Sequence, residues 1–104
     1  MKERRTANIP KGYLELFVLK LLSQYPANGV ELINLIRRAT NDKWSPSPGS
    51  LYPILRKLES EGFIYRVDES NRFVTTGKGL ERMKRLREEA MLVQEIINAV
   101  MKEL

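Results

Sequence analysis

Leu14, Phe17, Val18, Leu21 and Leu22 fall at i, i+3, i+4, i+7 and i+8, the repeat of a helix that buries one face, and predict a first helix over Tyr13–Leu22. Leu16 and Leu19 lie outside that face. The helix is therefore apolar on more than one side and is expected to be covered by its own domain or by a second chain. Tyr25-Pro26-Ala27-Asn28-Gly29 interrupts the pattern, with Asn28 a candidate cap. A second helix follows over Val30–Ala39. It turns Val30, Leu32, Ile33 and Ile36 inward and ends on Arg37 and Arg38, cations that suit the negative end of the helix dipole. Thr40–Ser45 reads as a polar turn.

The stretch from Trp44 to Gly62 holds a helix start, an amphipathic body and a stop. Ser47 is a candidate N-cap and Pro48 takes the first helical position, where its missing N–H costs nothing. Leu51, Leu55 and Leu58, with Ile54 beside them, form one apolar stripe, and Gly62 ends the helix. Pro53 removes a backbone hydrogen bond from the second turn and is expected to bend it. Off the stripe lie Ser50, Tyr52, Arg56 and Lys57, a solvent face of hydroxyls and cations of the kind that suits a nucleic-acid groove. Phe63–Val67 and Arg72–Thr75 then read as two short strands around the polar turn Asp68-Glu69-Ser70-Asn71, a hairpin.

From Lys78 to Leu104 there is no Pro and, past Gly79, no Gly. Leu80, Met83, Leu86, Ala90, Val93, Ile97, Val100 and Leu104 repeat there at threes and fours. At about 1.5 Å per residue this helix is ~40 Å long, and a small domain has little left to cover its far half. Leu92, Ile96 and Met101 widen the stripe, which predicts contact with a partner's equivalent helix and with a first helix. A membrane-surface helix is the competing reading, since Arg82, Lys84, Arg85 and Arg87 cluster near its start. Against it, Glu81, Glu88, Glu89 and Glu95 intermix with them, and no Trp or Phe anchors an interface.

A chain of 104 residues supplies one domain with a modest core, and its net charge of +5 favours a polyanionic partner. With no Cys and no His, disulfides, Cys/His zinc sites and Ser-His or Cys-His catalysis are excluded. Glu59 and Glu61 are paired carboxylates two residues apart, and on a helix they point in different directions, so no catalytic or metal site is expected and no cofactor. No secretory or membrane-spanning pattern stands out, which gives the expectation of a cytoplasmic protein. Residues 1–8 carry Lys2, Arg4 and Arg5 on a basic arm, more often a matter of solubility, with a minor-groove or phosphate role for Arg4 and Arg5 as the sharper alternative.

The run S-P-S-P-G-S-L-Y-P-I-L-R-K-L-E-S-E-G-F-I resembles the signature of the PadR-like transcriptional regulators, P-S-x-G-x-L-Y-P-x-L-x-x-L-E-x-x-G followed by a hydrophobic residue. Gly29-Val30-Glu31-Leu32 is similar to the family's G-Y-E-L, with Val30 in place of Tyr. Phe73-Val74-Thr75-Thr76-Gly77-Lys78-Gly79 is similar to its Tyr-x-Leu-Thr-x-x-Gly, without the aromatic hydroxyl. The resemblance implies a mostly α winged helix-turn-helix with a small β-hairpin and a single long C-terminal dimerisation helix, residues 1–77 being the DNA-binding domain and 78–104 the dimerisation helix. It further implies a repressor relieved by small aromatic or cationic compounds held between the subunits. Trp44, the one tryptophan, is then a core plug at the turn or, as the weaker reading, a stacking platform for a flat ligand.

On this reading a homodimer binds double-stranded DNA at an inverted repeat, with the recognition helix Ser47–Gly62 in the major groove and the wing Arg66–Arg72 on the backbone. Ser47, Ser50, Tyr52 and Lys57 are assigned to phosphates and Arg56 to a base edge. Asp68 and Glu69 at the wing tip repel DNA and leave contact there to Asn71 and Arg72. Leu16, Leu86, Ala90, Val93, Ile97, Val100 and Leu104 are expected at the dimer interface. The alternative is a winged helix used as a protein-interaction module without DNA. The two differ in whether the exposed side of the third helix is basic or apolar.

Overall fold

The computed structural model describes residues 8–103. Arg4, Arg5 and Leu104, named above for DNA contact and dimerisation, lie outside the described residues. The elements run α1 (Lys11–Leu22), α2 (Gly29–Ala39), α3 (Pro48–Ser60), β1 (Ile64–Arg66), β2 (Phe73–Thr75) and α4 (Gly77–Glu103). The fold is a winged helix-turn-helix followed by a long helix.

Local chemistry sets each boundary. Asn28 caps α2 through a reciprocal box: its Oδ1 accepts from Glu31 N–H at 2.9 Å, while its own N–H donates to Glu31 Oε1 at 3.0 Å. Ser47 caps α3 by accepting from Ser50 N–H at 3.2 Å, with Pro48 at the first position. Pro53 sits inside α3 without ending it. At the other end Gly62 takes φ +79°, Phe63 N–H reaches Leu58 O at 2.9 Å and Gly62 N–H reaches Glu59 O at 3.1 Å. That is a full Schellman stop, and it turns the buried Phe63 straight into the hairpin.

The core gathers Val18, Leu19 and Leu22 of α1, Leu32 and Ile36 of α2, Leu51, Leu55 and Leu58 of α3, and Phe63, Ile64 and Phe73 around the hairpin. Two expectations are corrected here. Leu19 is fully buried, because the inner face of α1 runs through Leu14, Glu15, Val18, Leu19 and Leu22, while Phe17 and Leu21 pack at its edge. Val30 is 61% exposed, because α2 starts one residue early and turns Gly29 inward instead. Each strand is three residues, shorter than the apolar runs suggest, paired antiparallel with Tyr65 opposite Val74. Ala27 and Phe73 exchange backbone hydrogen bonds of 3.2 and 2.9 Å, so the α1–α2 connector adds a single bridge to the sheet.

Side chains of β2 and the residue before it fasten the hairpin to α1 and α2. Thr75 Oγ1 donates to Leu19 O at 2.8 Å. Arg72 donates from Nε and Nη2 to the two oxygens of Glu31 at 3.0 and 3.1 Å. The wing tip is held from within by Asp68, whose Oδ1 accepts from Ser70 N–H at 3.0 Å and Ser70 Oγ at 2.6 Å. The first turn of α4 passes close over the hairpin: a Cβ on Gly79 would fall inside the contact distance of Phe63 O and at 2.7 Å from Thr75 Cγ2. Met83 and Leu86 lie against the core, and the remainder of α4 projects past it.

Gly79→Ala is expected to lower stability by about 1–3 kcal/mol, since the obstacle is backbone. Thermal unfolding should show a fall in Tm of about 4–8 °C per kcal/mol for a domain of this size. The Glu31 tie carries a pH signature. The Arg72 guanidinium, and next the Asn28 N–H, hold the Glu31 carboxyl below the usual glutamate range. A carboxyl lowered by folding contributes stability above its ordinary value of about 4.3 and loses it as pH falls through the depressed value. Hydrogen exchange at the wing, corrected for intrinsic rate, should therefore be flat from about pH 8 to 5 and accelerate only in stronger acid. Loss of protection near neutrality would rule out this tie.

Candidate nucleic-acid interface

Burial of Leu51, Ile54, Leu55 and Leu58 fixes which side of α3 looks outward. Ser47, Ser50, Tyr52, Arg56 and Lys57 are all exposed, so the outward surface is hydroxylated and basic rather than apolar. Arg56 makes no ion pair among the described residues, which leaves its guanidinium available. Ser47 Oγ also donates to Ser50 Oγ at 3.1 Å, so both hydroxyls sit at the N-terminus of α3, where backbone N–H groups favour an anion.

Tyr52 and Lys57 lie at the flanks of this surface. The Tyr52 ring covers Gly29 so closely that a Cβ there would meet Cζ and Oη at 2.6 Å. Gly29 is thus the residue that lets α2 start against α3, and Tyr52 is 40% exposed with its hydroxyl at the α2 N-terminus. Lys57 leans the other way, its Nζ 3.8 Å from Glu15 Oε2 of α1. Between α2, α3 and the wing lies a cleft of about 340 Å³ lined by Asn28, Gly29, Val30, Tyr52, Arg56, Arg66, Ser70 and Asn71 among others.

The wing cations are engaged. Arg66 pairs with Glu59 of α3 at 3.0 Å, donates to Asn71 Oδ1 at 2.6 Å and lies over the Phe73 ring at 5.2 Å. Arg72 is held by Glu31 and has Asp68 Oδ2 3.8 Å from Nη1, and together these carboxylates raise its pKa. Asn71 takes φ +59° at the turn and spends its side-chain oxygen on Arg66. Arg66 and Arg72 therefore brace the wing against α3 and α2. The Glu59–Arg66 pair also gives Glu59 a structural role.

Trp44 is half-buried and meets Phe17 edge-on, ring centroids 6.1 Å apart at 68°. An apolar groove of about 300 Å³ lies instead between Tyr13, Leu16 and Phe17 of α1 and Ala90, Val93, Gln94 and Ile97 of α4, and Trp44 does not line it. Leu16, Leu86 and Ala90 are half-buried, whereas Met91, Leu92, Val93, Ile96, Ile97, Val100 and Met101 stand 37–62% exposed. Among the described residues no cluster of three or more Asp, Glu, His or Cys could hold a metal, and no helix is long and apolar enough to cross a membrane.

The burial of the Glu15 carboxylate, the Tyr52–Gly29 contact and the two wing braces do not follow from the apolar periodicity. One signal was present. Glu15 stands four residues before Leu19 and seven before Leu22, so placing Leu19 in the buried stripe puts a carboxylate there too, in need of a cation.

The same arrangement recurs in known proteins. Residues 18–85 match the profile described as the transcriptional regulator PadR-like family. The chain is 32% identical over 99 residues to the transcriptional regulator YqjI of Escherichia coli (strain K12), covering 92% of this chain and 48% of that protein, so it spans about half the length of the curated relative. Among solved structures, a transcriptional regulator from Clostridium thermocellum superposes with TM-score 0.76 at 29% identity, over 86% of this chain and 93% of the other. A Streptococcus transcriptional regulator superposes with TM-score 0.69 at 27% identity, over 86% and 93%. A family match across the helix-turn-helix, the wing and the start of α4, carried by the capped, Schellman-closed α3 that bears the motif, makes this chain a member of the PadR-like transcriptional regulators.

Proposed function

We propose that the chain works as a homodimer that binds an inverted repeat in double-stranded DNA and regulates transcription from it, most simply as a repressor. The observation that carries this reading is the outward surface of α3, where Ser50, Tyr52 and Arg56 are exposed and Arg56 has no acidic partner among the described residues. An interaction module would need an apolar surface at that place. In the DNA reading Arg56 reads a base edge, because a guanidinium matches guanine O6 and N7. Ser47, Ser50 and Tyr52 fix register on phosphates, and Asn28 and Gly29 at the start of α2 line a cleft with Tyr52 and Arg56. The wing lies on the backbone, with Arg66 and Arg72 contributing through the placement of the tip, since their charges are already compensated.

The partner subunit is inferred from α4. Seven consecutive-turn apolar side chains half in water are unfavourable at about 25 cal/mol per Å², and a second copy offers the matching stripe. Two-fold pairing through Leu86, Ala90, Val93, Ile97 and Val100, with Leu16 of α1, puts recognition helices one helical turn of DNA apart, about 34–36 Å. Occupancy of such an operator hinders transcription with no further surface, hence repression. The groove between α1 and α4 lies beside this interface and is the place for an aromatic effector, rather than Trp44, which is packed on Phe17.

Selection of bound duplexes from a random pool should return a palindromic site; no enrichment would sink the DNA reading. Arg56→Ala should cost about 1–3 kcal/mol on that site and relax preference at one base pair per half-site. Ile97→Glu should yield a monomer in sedimentation velocity at micromolar concentration. A dimer surviving that change would place the interface elsewhere.

A further inference from the structure

Glu15 is the one charged side chain buried among the described residues, 7% exposed, and it has two cations for one carboxylate. Lys57 of α3 stands 3.8 Å from Oε2 and Arg82 of α4 stands 3.6 Å from Oε1. Neither separation is a hydrogen bond, and both Glu15 Oε1 and Arg82 Nε are buried without any hydrogen-bond partner among the described residues. A buried carboxylate needs a cation, because removing its partner leaves an uncompensated charge. It does not need two. The pair is also asymmetric: the Arg82 side chain is 35% exposed and that of Lys57 54%, so Arg82 is the cation held in place and Lys57 the one with a path to solvent. Lys57 belongs to the helix that carries Arg56.

The geometry points to Glu15 as a positioning residue that parks Lys57 beside the interface and releases it to a DNA phosphate, with Arg82 keeping the carboxylate neutralised once Lys57 has left. This rests on the DNA reading above and adds that a residue of α4, remote from the outward side of α3, sets how many phosphates the recognition helix neutralises. When Arg82 is present, Lys57 is spare. Without Arg82, Lys57 is bound to Glu15 and withheld.

The test is the dependence of affinity on salt, measured by fluorescence anisotropy on a labelled 30-base-pair duplex of mixed sequence. It counts phosphate contacts at a slope of about −0.9 in log K against log[salt] for each. Lys57→Gln should make the slope shallower by about 0.9 per protomer. Arg82→Gln should do the same although it removes no contact of its own, and Glu15→Gln/Arg82→Gln should restore the wild-type slope by freeing Lys57. Arg82→Lys should keep it. The double variant removes the buried charge together with its partner, so it remains informative if Arg82→Gln alone folds poorly. The proposal is overturned if Lys57→Gln leaves the slope unchanged, or if Arg82→Gln does. It is equally overturned if the Arg82→Gln loss persists in the double variant, which would mean that Arg82 touches phosphate itself. Wild-type binding that ignores salt would remove the DNA reading and this inference with it, a result distinct from the others.

Discussion

Burial of the inner stripe of α3 is the constraint on which the rest depends. Leu51, Ile54, Leu55 and Leu58 share one core with α1, α2 and Phe63, and each fully buried leucine contributes about 1.5–3 kcal/mol. With that stripe fixed, the 3.6-residue repeat leaves Arg56 no direction but outward. It also leans Tyr52 toward α2 and Lys57 toward α1. Helix ends then matter as much as the stripe. The Ser47 cap and the Gly62 stop limit α3 to Pro48–Ser60, so that the chain re-enters the core at Phe63 and the hairpin begins where α4 can cover it.

The electrostatics divide by burial. Glu31–Arg72, Glu59–Arg66 and Arg37–Asp42 are exposed pairs, and such pairs contribute little to stability. Their effect is geometric. Glu31 closes the capping box of α2 with one oxygen and shares both with Arg72, so one carboxylate joins the start of the second helix to the wing. The result is a wing whose cations are largely neutralised, beside a third helix whose Arg56 has no ion pair among the described residues. Glu15 is the opposite case. In its buried setting an unpaired charge is costly, and α3 and α4 each bring a cation to it on α1.

Much of this was legible in the residues, for identifiable reasons. Ser47-Pro48 and Gly62 mark α3 because capping and left-handed backbone are local chemistry, and Asn28 with Glu31 is a capping box readable at a spacing of three. The hairpin was legible in kind and overlong in extent, since strand length depends on pairing rather than on the apolar run. Val30 was misplaced because periodicity alone cannot see that Tyr52 occupies the space over Gly29, a contact between residues 23 apart that makes glycine the inward one. Leu19 and Glu15 were missed together. A helix packed on α2, the hairpin and α4 buries a wider arc than one stripe, and a carboxylate within that arc looks like an interruption until its cations from two other helices are known. The ion pairs of Arg66 and Arg72 were not legible because their acceptors are 7 and 41 residues away in the chain.

What joins the two halves of the molecule is α4. Its first turns lie under the hairpin, Gly79 against Phe63 and Arg82 against Glu15, so they belong to the winged helix as firmly as α1 does. Past the groove with α1, its last apolar side chains, Val100 and Met101, stand exposed among the described residues. A 27-residue helix is continuous between these environments and carries no Pro or Gly beyond its first turn, so it transmits orientation rather than hinging. Where α4 meets α1, Arg82 and Glu15 belong to the same contact, and through that carboxylate α4 is linked to Lys57 of α3. The joint between the long helix and the winged helix is therefore polar at its centre, held by one buried carboxylate that needs a cation, while apolar packing of Met83 and Leu86 secures it alongside.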